Sequence, residues 1–193
     1  MKLYDFDGMF DEKLTEYISK NSSKYKEEEW EDIIPELFKK FGDTPIKSLG
    51  KTPREFYGGM TDGELIKCLK LHLKNGVPVS EFLCGAIEGR NFTQGLLPLL
   101  DGTQEEIEYA MNLLGADPAA TDKYMQMLLT TDDEDIKNRC VDFIKENADA
   151  VSNAVKENYK KGAEREYMLE IMSRTTKKDE EIFDILIKAF RSD

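Results

Sequence analysis

Apolar residues recur at steps of three and four positions along most of the chain beyond residue 10. This spacing places apolar side chains on one face of a helix, whereas a half-buried strand alternates apolar and polar positions. No stretch of the sequence alternates in that way. The sequence therefore predicts an all-α fold. The clearest stripes are Trp30, Ile33, Ile34, Leu37, Phe38 and Phe41; Ile107, Ala110, Met111 and Leu114; Ile136, Cys140, Phe143 and Ile144; and Ile182, Ile185, Leu186 and Ala189.

Helix starts are indicated by a threonine followed three positions later by a glutamate. In this capping box each side chain accepts a hydrogen bond from the backbone of the other residue. The predicted pairs are Thr52 with Glu55, Thr61 with Glu64, Thr103 with Glu106 and Thr131 with Glu134. Pro53 and Pro118 follow Thr52 and Asp117, the order expected in a first helical turn.

Glycines indicate where helices end, because glycine readily adopts the left-handed conformation beyond a last turn. Such ends are expected at Gly42, Gly76, Gly115 and Gly162. Pro35 leaves the phase of the stripe between residues 30 and 41 unchanged, so one kinked helix is expected there.

The helix starts at residues 61, 103 and 131 have intervals that suit units of two or three helices. The stretch 131–161 has an acidic turn, then a helix with Ile136, Arg139 and Cys140 where HEAT helices favour an aliphatic, a basic and a small residue, then a second striped helix. In this pattern residues 61–190 resemble the HEAT and armadillo-like family. The resemblance implies a short right-handed α-α superhelix of helix pairs, in which each pair covers the apolar face of its neighbour. An irregular helical bundle is the alternative.

Glycine and proline punctuate residues 1–60, at 42–45 and 50–53. We interpret residues 1–60 as an N-terminal helical cap or adaptor packed on the first repeat. Residues 61–193 are then the HEAT-like repeat region, within one structural domain.

Charge excludes some classes of partner. The 193 residues include 39 Asp and Glu against 27 Lys and Arg, a formal net charge of −12, with 40% hydrophobic residues. The apolar content can fill a core, so the acids belong to a solvated surface. Such a surface repels nucleic acid and anionic lipid, so neither is expected as a partner.

The cysteines and the first residues bear on localisation. Cys68, Cys84 and Cys140 match no metal or disulfide spacing and are interpreted as free thiols in a reducing compartment. The acidic start lacks the pattern of a secretory signal, and no apolar run is long enough to span a bilayer. A cytoplasmic protein is expected.

Two short motifs suggest phosphate chemistry and are set aside. Asp5 and Asp7 resemble the aspartate signature of haloacid dehalogenase-like phosphatases, but no buried strand precedes them, and a solvated turn is expected. The triplet 50–52, Gly-Lys-Thr, lacks the earlier glycine of a phosphate-binding loop, and Thr52 is better explained as a helix cap.

His72 is the only histidine and cannot build a histidine-rich metal site alone. We interpret it as a partly buried structural residue with a hydrogen bond.

The acidic run 132–135 lies at a helix start, where the helix dipole favours negative charge. Trp30 has the phase of a core anchor. We therefore predict no catalytic, cofactor-binding or metal-ligating residue and no cofactor.

Four methionines fall on consecutive predicted helices, at positions 125, 127, 168 and 172. Flexible thioethers can line an adaptable groove, but a methionine-rich core is the favoured interpretation.

The leading functional hypothesis is a non-enzymatic interaction scaffold or adaptor that binds a protein or peptide, with a basic region complementary to the acidic surface. The resemblance also implies an alternative, because some small HEAT-like proteins are alkylpurine DNA glycosylases. The net charge opposes that alternative, since the best basic cluster, Lys156, Lys160, Lys161 and Arg165, is balanced by nearby glutamates. A self-associating structural protein is the third possibility.

Overall fold

The structure is a computed structural model that describes residues 1–90 and 92–191. Within these ranges the chain forms twelve α-helices and no strand, which confirms the prediction of an all-α fold. The helices are α1 (Phe6–Asn21), α2 (Trp30–Gly42), α3 (Pro53–Gly58), α4 (Asp62–Asn75), α5 (Glu81–Glu88), α6 (Thr93–Leu96), α7 (Gln104–Leu114), α8 (Thr121–Thr130), α9 (Glu134–Lys145), α10 (Ala148–Lys161), α11 (Arg165–Met172) and α12 (Glu180–Phe190). Three short 3₁₀ segments, Glu27–Glu29, Leu97–Asp101 and Pro118–Ala120, lie between them.

The chain divides into two compact units, Met1–Leu113 and Leu114–Asp193, which we call the N-terminal unit and the C-terminal unit. In the N-terminal unit α1 packs on α2, α2 on α3, α3 on α5, and α4 on both α5 and α6. In the C-terminal unit α8 packs closely on α9 and α10 on α11, while α9 also contacts α11. The predicted boundary at residue 60, between a cap and a repeat region, stays a prediction.

Aromatic rings dominate the core of the N-terminal unit. Phe6 is fully buried and meets Tyr57 edge to face at 5.5 Å between ring centroids. Phe38 stacks on Phe82 at 4.6 Å and takes the edge of Phe10 at 5.0 Å. Such pairs add specific geometry to the burial of apolar area, so they fix how α1, α2 and α5 meet.

Methionine and aliphatic side chains form the core of the C-terminal unit. All four methionines of α8 and α11 are buried, with exposed fractions of at most 9%. The interpretation of these residues as core is therefore confirmed. They are Met125, Met127, Met168 and Met172.

Three of the four predicted capping boxes are confirmed. The side chains of Thr52, Thr61 and Thr103 each accept a hydrogen bond from the backbone N–H of the glutamate three positions later. The carboxylate of each glutamate accepts one from the backbone N–H of its threonine. The fourth is wrong. Because α9 begins at Glu134, Asp133 is the capping residue, and its Oδ1 accepts from the backbone of residues 135 and 136.

The four helices end at or next to the predicted glycines, and Gly76, Gly115 and Gly162 also take the predicted left-handed conformation, with φ of 61°, 52° and 84°. Gly42 is different. It is the buried last residue of α2 and does not take a positive φ. A Cβ atom there would lie 2.5 Å from Phe82 Cε1, so the position requires glycine for close packing and not for backbone conformation. Pro35 lies inside α2, which is one helix as predicted.

Trp30 begins α2 and is half-buried. Its ring takes edge-to-face contacts with Tyr25 at 5.2 Å and with Tyr17 at 6.3 Å. The sequence predicts Trp30 as a core anchor, but its side chain is neither fully buried nor fully exposed.

Candidate functional site

The two N-terminal aspartates serve as helix and tertiary contacts. Asp5 caps α1 by accepting a hydrogen bond of 2.8 Å from Gly8 N. Asp7, in the first turn of α1, accepts a bond of 3.0 Å from Ser80 Oγ, and Ser80 in turn caps α5 by accepting from Phe82 N. Burial raises the pKa of the Asp7 carboxyl above its usual value. The aspartates thus lie at the start of a helix and not after a strand, and Asp7 is partly buried where a solvated turn was expected.

His72 is fully buried, which confirms its structural interpretation. Its Nδ1 lies 2.8 Å from the carbonyl oxygen of Pro78, so Nδ1 carries the proton and donates it. Nε2 is left without a hydrogen-bond partner among the described residues. Thr52, predicted to be a cap and not part of a phosphate loop, caps α3.

The cysteines are free thiols in the described part of the chain. Burial raises the pKa of Cys84 to about 11 and that of Cys140 to about 12, and it also raises the pKa of Cys68. Thiols in such surroundings are weak nucleophiles. Within residues 1–90 and 92–191, no group of three or more His, Cys, Asp or Glu side chains is placed to hold a metal ion.

Lys137 is the buried cation of the C-terminal unit. Its Nζ lies 3.1 Å from Glu134 and 3.0 Å from Glu164, and Tyr167 donates a hydrogen bond of 2.7 Å to Glu134. These carboxylates raise the pKa of Lys137. Glu164 itself has a left-handed backbone, φ 43°, so its bond to Lys137 helps to hold a conformation that glutamate rarely adopts. This network joins α9 to the start of α11.

Two of the four cations in the basic cluster considered for DNA binding are paired with carboxylates. Lys156 Nζ lies 2.7 Å from Asp179, and Lys160 Nζ lies 2.6 Å from Glu181. Arg165 lies over the ring of Tyr159 and donates to its hydroxyl. Lys161 is exposed and makes no ion pair with a residue that the structure describes, so positive charge remains at Lys161 and Arg165.

A groove of about 860 Å³ runs along α4 beside the start of α7, both in the N-terminal unit. We call it the α4–α7 groove. Its walls are Gly63, Ile66, Lys67, Lys70, Leu71, Leu73 and Lys74 of α4, together with residues 103–106. α4 has two apolar faces. One face packs into the core, and the other, with Ile66 and Leu73 two turns apart, lines this groove. The core face consists of Leu65, Cys68, Leu69 and His72.

The lining of the α4–α7 groove has three lysines and two glutamates, Glu105 and Glu106, so it is slightly positive although the whole chain is acidic. Lys70 is neutralised by Glu106, with Nζ to Oε1 at 3.3 Å. Lys67 and Lys74 are exposed, and neither makes an ion pair with a residue that the structure describes. The groove thus combines an apolar wall with two cations open to a ligand.

A second apolar surface lies on α12 in the C-terminal unit. Ile182 is its only buried residue, whereas Phe183 is 65% exposed and Phe190 is 83% exposed. Ile187 lies between them on the same side of the helix and is half-buried. We call Phe183, Ile187 and Phe190 the α12 face.

Neither surface was expected from the sequence. The large exposed apolar side chains in the described part of the chain are Met1, Phe183 and Phe190. The signal for the α4–α7 groove was present, since Ile66 and Leu73 fall outside the stripe of Leu65, Cys68 and His72.

Comparisons with known proteins do not identify the chain. No family model matches it, no curated protein matches it, and no solved structure matches it. Among the described residues, no helix has the length and apolar character needed to cross a bilayer. The geometry of the two surfaces is therefore the basis for assigning a function.

Proposed function

We propose that this chain is a non-enzymatic protein-interaction module whose α4–α7 groove binds an amphipathic peptide segment that carries carboxylates. The observation that carries the proposal is the combination of an apolar wall, Ile66 and Leu73, with the unpaired cations of Lys67 and Lys74. Grooves of this kind bind the apolar face of a partner helix, whose contacting residues recur at steps of three and four positions.

The charge of the groove sets the expected chemistry of the partner. The net charge of −12 favours a basic partner at long range. Salt screens that attraction beyond about 8 Å at physiological ionic strength, so the charges in direct contact decide which segment fits. Carboxylates beside Lys67 and Lys74 would form ion pairs, whereas a basic segment would meet like charges.

The packing of the C-terminal unit supports a HEAT-like arrangement as part of this proposal. The close pairs α8 with α9 and α10 with α11, and the contact of α9 with α11, correspond to helix pairs that stack through one helix of each pair. An alkylpurine DNA glycosylase is disfavoured, because such an enzyme needs free cations for phosphates and two of the three candidate lysines, Lys156 and Lys160, are paired with carboxylates within the unit.

Binding of designed peptides tests the proposal. The probe is a fluorescent helical peptide of about 20 residues with leucines at positions i, i+3, i+4 and i+7 and glutamates beside them, compared with the same peptide carrying lysines instead. Anisotropy titration at physiological salt should show binding of the glutamate peptide and at least tenfold weaker binding of the lysine peptide.

Two charge variants make the test specific. Lys67→Glu with Lys74→Glu should weaken binding of the glutamate peptide at least tenfold and strengthen binding of the lysine peptide. Lys39→Glu with Lys47→Glu changes net charge by the same amount at exposed lysines outside the groove and should leave both affinities within about twofold. Equal effects of the two variants, or no binding of the glutamate peptide, would refute the proposal.

A further inference from the structure

We propose that α12 is a self-association surface, on which α12 of one copy packs antiparallel against α12 of a second copy. The inference is independent of the α4–α7 groove, since α12 belongs to the C-terminal unit and the groove to the N-terminal unit. Failure of either proposal therefore leaves the other standing.

The apolar part of the argument is the α12 face. Phe183 and Phe190 lie two turns apart on one side of the helix and are 65% and 83% exposed. Large aromatic side chains are seldom left in water on the same face of a short helix, and a contiguous apolar strip of this kind marks an interaction site. Ile182, on a different side, is the buried residue of α12, and Glu181 pairs with Lys160 of α10.

Charges beside the α12 face favour a second copy of the chain as the partner. Glu180 and Asp184 lie along one flank of the α12 face, in its first half, and Arg191 lies along the same flank just past its last turn. None of the three makes an ion pair with a residue that the structure describes. The flank is therefore acidic at one end and basic at the other, with both signs open to a partner.

Antiparallel pairing about a two-fold axis brings the opposite ends of these flanks together. It places Glu180 of each copy beside Arg191 of the other. It also sets Phe183 of each copy near Phe190 of the other, with the two Ile187 side chains at the centre of the contact. It also sets the two helix dipoles in opposite directions, which is favourable. Parallel pairing would instead set the two flanks on opposite sides of the interface, where Glu180 of one copy would not lie near Arg191 of the other.

The size of the surface predicts a weak dimer. Eleven residues of helix are about 16 Å long, so two such helices bury less area than the roughly 1,200 Å² of the smaller stable interfaces. Association should therefore be seen between about 10 μM and 1 mM, as a rise of the weight-average mass from that of one 22.2 kDa chain toward twice that value.

Sedimentation equilibrium of the full chain across this concentration range tests the inference. Phe183→Ser with Phe190→Ser should abolish the rise in mass. Glu180→Arg alone should weaken association at least fivefold, because it places two arginines beside each other at both ends, and Glu180→Arg combined with Arg191→Glu should restore it. Glu166→Arg is the matched control, since Glu166 is also an exposed first-turn glutamate without an ion pair in the described structure, and it should change association less than twofold.

Circular dichroism of each variant verifies that the helices are retained, because all the substituted side chains are exposed. A wild-type chain that stays monomeric at 1 mM overturns the inference. So does a mass that rises equally in wild type and in the double serine variant, or a failure of the double charge reversal to restore what the single reversal weakens.

Discussion

Ser80 Oγ donates a hydrogen bond of 3.0 Å to Asp7 Oδ1 and at the same time accepts one of 3.2 Å from the backbone of Phe82. One hydroxyl thus caps α5 and ties it to the first turn of α1, 73 positions earlier in the chain. Because Ser80 is fully buried, neither bond can be replaced by water without rearrangement.

Removing that hydroxyl should destabilise the N-terminal unit. We expect Ser80→Ala to lower the free energy of unfolding by about 1–3 kcal/mol, the combined cost of a lost cap and of a partly buried carboxylate left without its partner. Urea denaturation followed by circular dichroism measures the change. Ser22→Ala, at an exposed serine after α1, should cost less than about 0.5 kcal/mol, and a similar loss in both variants would contradict the role given to Ser80.

Asp7 should make stability depend on pH in a definite direction. Burial raises its pKa in the folded chain above the usual value of 3.8, so the folded state binds a proton more readily than the unfolded state. The favourable contribution of Asp7 is therefore complete below pH 3.8 and is lost as pH rises through the folded pKa. Asp7→Asn keeps an oxygen that can accept from Ser80, so it should leave stability near neutral pH equal or higher and should remove this part of the pH dependence.

The measurement is the midpoint of urea unfolding of wild type and Asp7→Asn at a series of pH values from about 4 to 7. The difference between the two proteins should shift in favour of the variant as pH rises. A difference that is constant over this range, or that shifts in favour of wild type, would show that Asp7 is not desolvated.

Two glycines in helices should respond to alanine with opposite signs. At Gly42 the new Cβ would meet Phe82 at 2.5 Å and Arg54 Nε at 2.9 Å, and Phe82 is held by its stacking on Phe38. We expect Gly42→Ala to destabilise the chain by roughly 1–3 kcal/mol. Gly85 lies inside α5, and a Cβ added there would meet no other part of the chain within 4 Å, so Gly85→Ala should stabilise by about 0.5–1 kcal/mol through helix propensity. Thermal unfolding of both variants gives the two signs.

The thiols should resist alkylation while the chain is folded. With the pKa of Cys84 raised to about 11, only about one thiol in a thousand is ionised at pH 8, and Cys68 and Cys140 are also shielded from reagent. Mass spectrometry after treatment with iodoacetamide should show little modification of the native chain and complete modification of all three cysteines in denaturant. Rapid alkylation of any native cysteine would show that its site opens more easily than the packing implies.

Local signals in the sequence predicted the helices and most of their ends. The spacing of apolar residues was sufficient for the all-α class, and the capping boxes at Thr52, Thr61 and Thr103 depend on residues only three positions apart. The error at Thr131 arose because Asp133, two positions later, offers a competing cap that binds two backbone N–H groups. A choice between two capping residues this close together depends on the residue at which the helix begins, and α9 begins at Glu134.

Features that depend on distant residues could not be predicted from spacing. Local pattern predicts a left-handed end at Gly42, but the real constraint on this glycine is the ring of Phe82, 40 positions later. The partial burial of Asp7 depends on Ser80 in the same way. An apolar stripe shows which face of a helix avoids water, but it does not show whether another helix covers that face, and so the α12 face and the second face of α4 were missed.

The half-buried ring of Trp30, set against Tyr17 and Tyr25, is the only indole in the chain and belongs to the N-terminal unit. Its fluorescence is therefore a local probe: emission excited at long wavelength reports the melting of that unit alone, while the methionine-rich core of the C-terminal unit is silent. Comparing tryptophan emission with the far-ultraviolet signal, to which all helices contribute, then separates a chain that melts in one step from one that melts in two.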